Sequence, residues 1–144
     1  MKQELGNLTV KAEIKEQEPE AIESLHDVID RYKSLKYEQK EHLYAVFLTN
    51  DNQFIADKLI GLGTNDSVQT DLQDVVRAAA VTNAGAAILV HNHPSGSSTA
   101  TAKDIETTQK THEVLEKINV ELLDHVIVTR HSSYSMRRKT DGPL

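Results

Sequence analysis

A run of five apolar residues, Ala86 to Val90, is the feature that most constrains the fold of this chain. Gly85 precedes the run and the polar segment that begins at His91 follows it, so the run has the length of a strand rather than of a helix. A strand without polar positions is covered on both of its faces. The chain is therefore expected to place this strand at the centre of a buried sheet.

The segments around this run alternate between strand and helix patterns. Apolar residues spaced by three and four predict helices that begin at Pro19, at Asp71 and at Thr101. The last of these helices is expected to turn Ile105, Thr108, Leu115 and Ile118 inward. The predicted strands are, in chain order, His42–Leu48, Gln53–Ile60, Ala86–Val90, Glu121–Val128 and Ser132–Ser135. This alternation predicts an α/β sandwich on a mixed sheet.

Glycine and asparagine residues mark the predicted connections. Asn50 to Asn52 predicts the turn of a hairpin, and Gly61, Gly63 and Asn65-Asp66 predict a loop after its second strand. Asn83 to Gly85 predicts the end of the second helix.

The predicted domain covers residues 19–136. Residues 1–18 are charged and weakly periodic, and they predict an N-terminal arm or an edge strand around Leu8 to Ile14. Residues 137–144 are expected to form a C-terminal tail, with fraying from Met136 onward.

Composition excludes several classes of protein. The 144 residues include no cysteine, which excludes disulfides, iron–sulfur clusters, thiolate zinc sites and a cysteine nucleophile. The formal net charge of −6 disfavours a broad phosphate-binding surface and hence direct binding of nucleic acid. No run approaches the roughly 18 apolar residues of a membrane span, and the first residues lack a secretory pattern. The sequence therefore predicts a soluble, cytoplasmic protein without membrane contact.

Two histidines at the end of the central strand predict a metal site. His91 and His93 are two residues apart, so in an extended chain both imidazoles project to the same side. Asp104 lies in the first turn of the following helix, which is expected to begin at the same edge of the sheet. Two imidazole nitrogens and one carboxylate suit Zn²⁺ and leave its fourth tetrahedral position open to water, as in a catalytic zinc site.

These residues resemble a known motif. His91-Asn-His93, seven residues, Thr101, two residues and Asp104 match the His-x-His-x7-Ser/Thr-x2-Asp pattern of the JAMM motif, found in the JAB/MPN metalloprotease superfamily. The surrounding segments are similar to its RadC-like branch: Gly61–Thr64, the helix from Asp71, Ile88–Gly96 and Leu122–Val128. The resemblance covers roughly residues 20–136. It implies the JAB/MPN-like fold, which is cytidine-deaminase-like: a mixed β-sheet flanked by helices.

The resemblance also implies roles for individual residues. His91, His93 and Asp104 would hold one Zn²⁺ ion per chain, and Glu41 would be the general acid/base. Thr101 stands where the family has serine, and its hydroxyl would help to stabilise the oxyanion. The implied function is zinc-dependent hydrolysis of a peptide or isopeptide bond, with a peptide or protein substrate.

Other interpretations of the sequence stay open. The chain is also compatible with a non-catalytic MPN docking module or with an accessory protein of DNA repair. The segment before Glu41 is expected to be too short for the DNA-binding helix-hairpin-helix region of longer RadC-like proteins. Asp124 and His125 suggest a second metal site or a triad, but packing of their strand or support of the metal ligands is the expected role. Cysteine-dependent deaminases are excluded.

Overall fold

One mixed sheet of five strands forms the centre of the molecule, in the order β2-β1-β3-β4-β5. The computed structural model describes residues 21–63 and 70–139. Its strands are β1 (Glu41–Leu48), β2 (Phe54–Gly63), β3 (Ala86–Asn92), β4 (Glu121–Val128) and β5 (Ser133–Ser135). Its helices are α1 (Leu25–Arg31), a 3₁₀ helix (Lys33–Tyr37), α2 (Leu72–Val81), α3 (Ala102–Glu116) and α4 (Met136–Lys139).

The central strand β3 is buried along its whole length, as its sequence predicts. It pairs with β1 antiparallel and with β4 parallel, and α3 makes the crossover between β3 and β4. Ala87 and Leu89 belong to the apolar cluster that includes residues of α2 and α3. Ile88 and Val90 belong to the cluster on the opposite face, beside α1 and the 3₁₀ helix. The mixed α/β sandwich predicted from the sequence is therefore confirmed.

The first helix begins later than its apolar spacing predicts. Helix α1 starts at Leu25, after Ser24, whose side chain accepts a hydrogen bond from the Asp27 N–H. Ile22 instead donates its backbone N–H to Asn52 at 2.7 Å, alongside the turn between β1 and β2. The pairing of this segment with the hairpin explains why the helix does not extend toward Pro19. Pro19 itself and the strand predicted around Leu8 to Ile14 lie outside the described residues.

Strand β2 continues through the glycines that predict a loop. Gly61 and Gly63 pair with Leu43 and Glu41 of β1, so pairing between strands outweighs the weak strand preference of glycine. The prediction of a loop at these two glycines is wrong. Asn65 and Asp66 lie outside the described residues.

Helix α2 begins as predicted, with Asp71 as its N-cap. At its other end, Asn83 has the left-handed conformation (φ 54°) expected of the residue that ends the helix. Gly85 serves a different purpose, because a Cβ at this position would lie 1.9 Å from Oδ1 of Asn50. The glycine allows β3 to begin close to the turn that follows β1.

Helix α3 buries Thr108 and Leu115, as its sequence predicts, but not the two isoleucines. Ile105 and Ile118 are 38% and 40% exposed, so their predicted inward orientation is wrong. The buried residues of the helix are Thr107, Thr108, Thr111 and Leu115. Thr108 lies over the end of the sheet that carries His91 and His125, where an apolar side chain would leave Nδ1 of His125 without this hydrogen-bond partner.

The fraying predicted from Met136 onward does not begin there, because a short helix follows β5. Met136 is buried and begins α4, which ends at Lys139. Within the described residues, no helix combines the length and the apolar character needed to cross a membrane.

Candidate metal centre

The two histidines predicted to converge do so at the end of β3. His91 follows Leu89 on the face of the sheet that α2 and α3 cover, and His93 comes directly after the strand. Their Nε2 atoms are 2.8 Å apart, and the two residues are only 2% and 8% exposed. Both ring nitrogens thus meet at one buried point.

The loop after β3 fixes the ring of His93. The His93 N–H donates to the carbonyl of Val128 at 3.2 Å, and the His93 carbonyl accepts from the N–H of Gly96 at 3.0 Å. Nδ1 of His93 lies 2.7 Å from the carbonyl oxygen of Ser97. A carbonyl only accepts, so Nδ1 carries a proton. In the neutral ring, Nε2 then presents a lone pair to the site.

Asp104 comes to the same point from the first turn of α3. Its Oδ2 atom is 3.0 Å from Nε2 of His93, and its Oδ1 atom is 3.2 Å from Nε2 of His91. A capping box with Thr101 fixes the carboxylate: the Thr101 N–H donates to Oδ2 at 2.8 Å, and the Asp104 N–H donates to Oγ1 of Thr101 at 3.1 Å. The helix N-terminus therefore holds the aspartate against both imidazoles.

Burial and the contacts within this cluster shift the pKa values of Asp104 and His93. Burial opposes ionisation of Asp104, but the close contacts with the rings of His91 and His93 hold the pKa of its carboxyl well below the usual value. Burial likewise lowers the pKa of His93, but the contacts with Asp104 and the Ser97 carbonyl raise it above its ordinary value overall. Two ring nitrogens and a carboxylate at this spacing favour a cation among them, either a proton or a metal ion.

Glu41 approaches the cluster from the neighbouring strand. It begins β1, two residues before Leu43, which pairs with His91, so Glu41 lies on the same face of the sheet as His91. It is 7% exposed, and its Oε1 atom is 3.9 Å from Nε2 of His91. Glu41, His91 and His93 each offer one ligand atom within 4.8 Å of the others, a group that could hold a metal ion.

Asn92 is a residue supporting the site that the sequence analysis missed. Its side chain leaves β3 on the face opposite to the histidines, accepts from the His42 N–H at 2.7 Å and donates to the Lys40 carbonyl at 2.9 Å. These bonds fix the backbone on both sides of Glu41. The sequence does contain a sign of this role. An asparagine between two histidines at the end of a buried strand projects to the opposite face, where its buried amide needs hydrogen-bond partners.

Replacing Asn92 with alanine is expected to lower the free energy of unfolding by about 1–3 kcal/mol, because it leaves the His42 N–H and the Lys40 carbonyl without this partner. Urea unfolding monitored by circular dichroism measures the change. An unfolding midpoint equal to that of the parent protein would show that the amide does not anchor the start of β1.

His125 is the third histidine of the centre, and it belongs to β4. Its Nε2 atom is 2.7 Å from Nδ1 of His91, and its Nδ1 atom is 2.6 Å from Oγ1 of Thr108. Complete burial keeps the pKa of His125 well below its ordinary value, so the ring is neutral. Asp124 points elsewhere: it accepts from the Ser135 hydroxyl at 2.5 Å and from the Arg137 N–H at 3.1 Å. The two neighbours therefore do not form one site.

The cluster opens into a cavity of about 290 Å³. Glu41, His91, His93, Thr101 and Asp104 all line it, which brings the five residues predicted from the sequence to one place. Two imidazole nitrogens and carboxylate oxygens are donors that suit a divalent ion such as zinc. The residues present therefore fit a bound metal, and the cavity leaves room beside it for a small ligand.

Comparison with known proteins agrees with this geometry. The family model described as "RadC-like JAB domain" matches residues 22–141. The chain is 36% identical over 103 residues to a UPF0758 protein of Streptococcus equi subsp. zooepidemicus and 38% identical over 98 residues to one of Finegoldia magna. These matches cover 72% and 68% of this chain but 46% and 44% of the relatives. The chain thus spans about half the length of the curated relatives it matches.

Proposed function

The chain belongs to the RadC-like JAB domain family, and from this premise we propose that it is a zinc-dependent hydrolase of peptide or isopeptide bonds. The observation that supports the proposal most directly is the meeting of His91, His93 and Asp104. The Nε2 atoms of the two histidines are 2.8 Å apart, and each lies within 3.2 Å of an Asp104 carboxylate oxygen. The proposed catalytic domain is the predicted one, residues 19–136, and the proposed location is the cytoplasm.

The distances of the two carboxylates from the histidine nitrogens support different roles for Asp104 and Glu41. The carboxylate of Asp104 lies 3.0 and 3.2 Å from the two histidine Nε2 atoms, whereas the Glu41 carboxylate lies 3.9 Å from the nearer one. A carboxylate slightly farther from the histidine nitrogens would contact a water molecule rather than a bound metal. We therefore assign His91, His93 and Asp104 as ligands of one zinc ion, and Glu41 as the general acid/base.

When bound, the zinc ion would lower the pKa of a water ligand to about 7 and polarise the scissile carbonyl. Glu41 takes a proton from the attacking water and passes it to the nitrogen of the leaving amine. The buried position of Glu41 at the start of β1, next to the Asn92 bonds, keeps its carboxylate directed at the site.

Thr101 is placed to stabilise the oxyanion. Its Oγ1 atom accepts the Asp104 N–H, and this bond leaves the hydroxyl proton available to a substrate oxygen in the cavity. Thr101 thus combines a structural bond at the start of α3 with a donor for the reaction.

Replacing Thr101 with alanine is expected to lower turnover by about 10²–10³-fold, because an oxyanion donor is lost. The same change removes a helix cap, at a cost of about 1 kcal/mol of stability. Serine at this position should restore both properties. Asp71→Ala is the matched control, since it removes the cap of α2 and should lower stability without lowering turnover. Equal turnover of Thr101→Ala and the parent protein would contradict the role of this hydroxyl.

The experiment that tests the proposed function is the removal and return of the metal. The protein is assayed on a mixed peptide library and on isopeptide-linked peptides, before chelation, after chelation and after addition of zinc. We expect hydrolysis to disappear with the metal and to return with it. A protein that binds zinc at the site and cleaves neither kind of bond would contradict the hydrolase assignment and favour a docking module.

A further inference from the structure

We propose that His125 is a positioning residue that holds His91 in the tautomer whose Nε2 lone pair faces the metal site, and that Thr108 fixes His125 in turn. This inference rests on the proposed function, because it concerns how one of the proposed zinc ligands is prepared. The three side chains form a continuous, buried series of hydrogen bonds from α3 through β4 to β3.

The series begins at the hydroxyl of Thr108. Its Oγ1 atom lies 2.7 Å from the carbonyl oxygen of Asp104, one turn earlier in α3. The hydroxyl has one proton, and the carbonyl can only accept it. The carbonyl is the nearer of its two acceptors, since the sulfur of Met136 lies at 3.4 Å. With the hydroxyl proton donated to the carbonyl, Oγ1 of Thr108 accepts at its 2.6 Å contact with Nδ1 of His125, which then carries the ring proton.

The tautomer of His125 then determines that of His91. A neutral imidazole with its proton on Nδ1 has an acceptor at Nε2. Nε2 of His125 lies 2.7 Å from Nδ1 of His91, so the His91 nitrogen must be the donor. Its other nitrogen, Nε2, is left with a lone pair directed toward His93 and Asp104. An imidazole needs that lone pair to bind a metal ion.

The two proposed histidine ligands are held by different kinds of acceptor. His93 donates to the Ser97 carbonyl, which can only accept and therefore needs no further partner. His91 donates to an imidazole, which can either accept or donate at the same atom. Thr108 removes this ambiguity, which explains why α3 buries a threonine hydroxyl at this position.

A β-bulge in β4 brings His125 to the correct face. Ala87 pairs with Leu122, but the next residue of β3, Ile88, pairs with Asp124, so Leu123 is an extra residue in the ladder. Leu122 packs in the cluster beside α2 and α3, and His125 contacts His91 on the same face, although the two are three residues apart. In a regular strand, this spacing would place them on opposite faces.

The test measures zinc affinity by competition with a chromophoric chelator. His125→Leu keeps an apolar side chain in the space but removes the acceptor, and zinc affinity is expected to fall by about 10–100-fold. His125→Gln is the rescue variant, because its amide oxygen can accept near the position of Nε2. It should bind zinc more tightly than His125→Leu.

A pair of threonine variants makes the test independent of changes at His125. Thr108→Val removes the hydroxyl that fixes the ring of His125, and it should weaken zinc binding. Thr111→Val is the matched control, because Thr111 is equally buried on the same helix and its hydroxyl has no hydrogen-bond partner among the described residues. It should leave zinc affinity unchanged.

Nitrogen-15 NMR of the metal-free protein gives a second measurement, which does not depend on activity. Long-range proton–nitrogen spectra at mildly alkaline pH should show His91 protonated at Nδ1 in the parent protein and a shift toward Nε2 protonation in Thr108→Val. If the parent and Thr111→Val bind zinc and Thr108→Val binds it equally well with the same tautomer, the inference is wrong while the metal site stands. If the parent binds no zinc, the proposed function itself fails.

Discussion

Replacing Glu41 with glutamine is expected to leave the zinc content unchanged and to lower turnover by about 10²–10⁴-fold. The amide keeps the size of the side chain and its place at the start of β1, but it cannot take a proton from water at neutral pH. Because the Glu41 carboxylate lies farther from the His91 Nε2 atom than the Asp104 carboxylate does, its loss should not release the metal.

The measurement combines steady-state hydrolysis with metal analysis of the same samples. Glu38→Gln is the matched control, since it makes the same change of charge on an exposed side chain three residues earlier. The control should hydrolyse as fast as the parent protein. Loss of zinc from Glu41→Gln would assign Glu41 to the ligands instead, and full activity would remove it from the reaction.

Replacing His93 with alanine is expected to weaken zinc binding by roughly 10²–10³-fold and to lower hydrolysis with it. Zinc binding to a protein site with four ligands is worth about 10–16 kcal/mol, so the loss of one ligand should cost about 3 kcal/mol, or roughly 10²–10³-fold in affinity. The same substitution also removes the ring that donates to the Ser97 carbonyl, which loosens the loop after β3.

Zinc titration followed by a chelator competition assay measures this effect. His131→Ala is the matched control, because His131 is exposed and lies in the connection between β4 and β5. The control should bind zinc as the parent does. If His93→Ala retained full zinc affinity, the ion would be held by a different group of residues.

The parts of the molecule that depend on local sequence could be predicted. The length and composition of the run from Ala86 to Val90 predict a buried central strand, and the extended geometry of its end predicts that His91 and His93 converge. The N-cap of α2 at Asp71 and the capping box of Thr101 with Asp104 follow from residue types at fixed spacing.

The parts that depend on pairing between distant segments could not be predicted. Gly61 and Gly63 form a strand because β1 lies beside them, and the pattern of apolar residues along the chain does not show which strand will be the neighbour. The bulge at Leu123 is likewise set by the register of β4 against β3. Nothing in the sequence near His125 therefore predicts its contact with His91. The spacing of three and four also predicts inward isoleucines at positions 105 and 118, whereas α3 turns threonines toward a polar end of the sheet.

The most direct test of the central claim is a crystal structure of the protein purified without chelators, with diffraction recorded on both sides of the zinc absorption edge. We expect one anomalous peak per chain, about 2.0–2.2 Å from the Nε2 atoms of His91 and His93 and from a carboxylate oxygen of Asp104. The absence of a peak from protein supplied with zinc, or a peak coordinated by Glu41 in place of Asp104, would contradict the account.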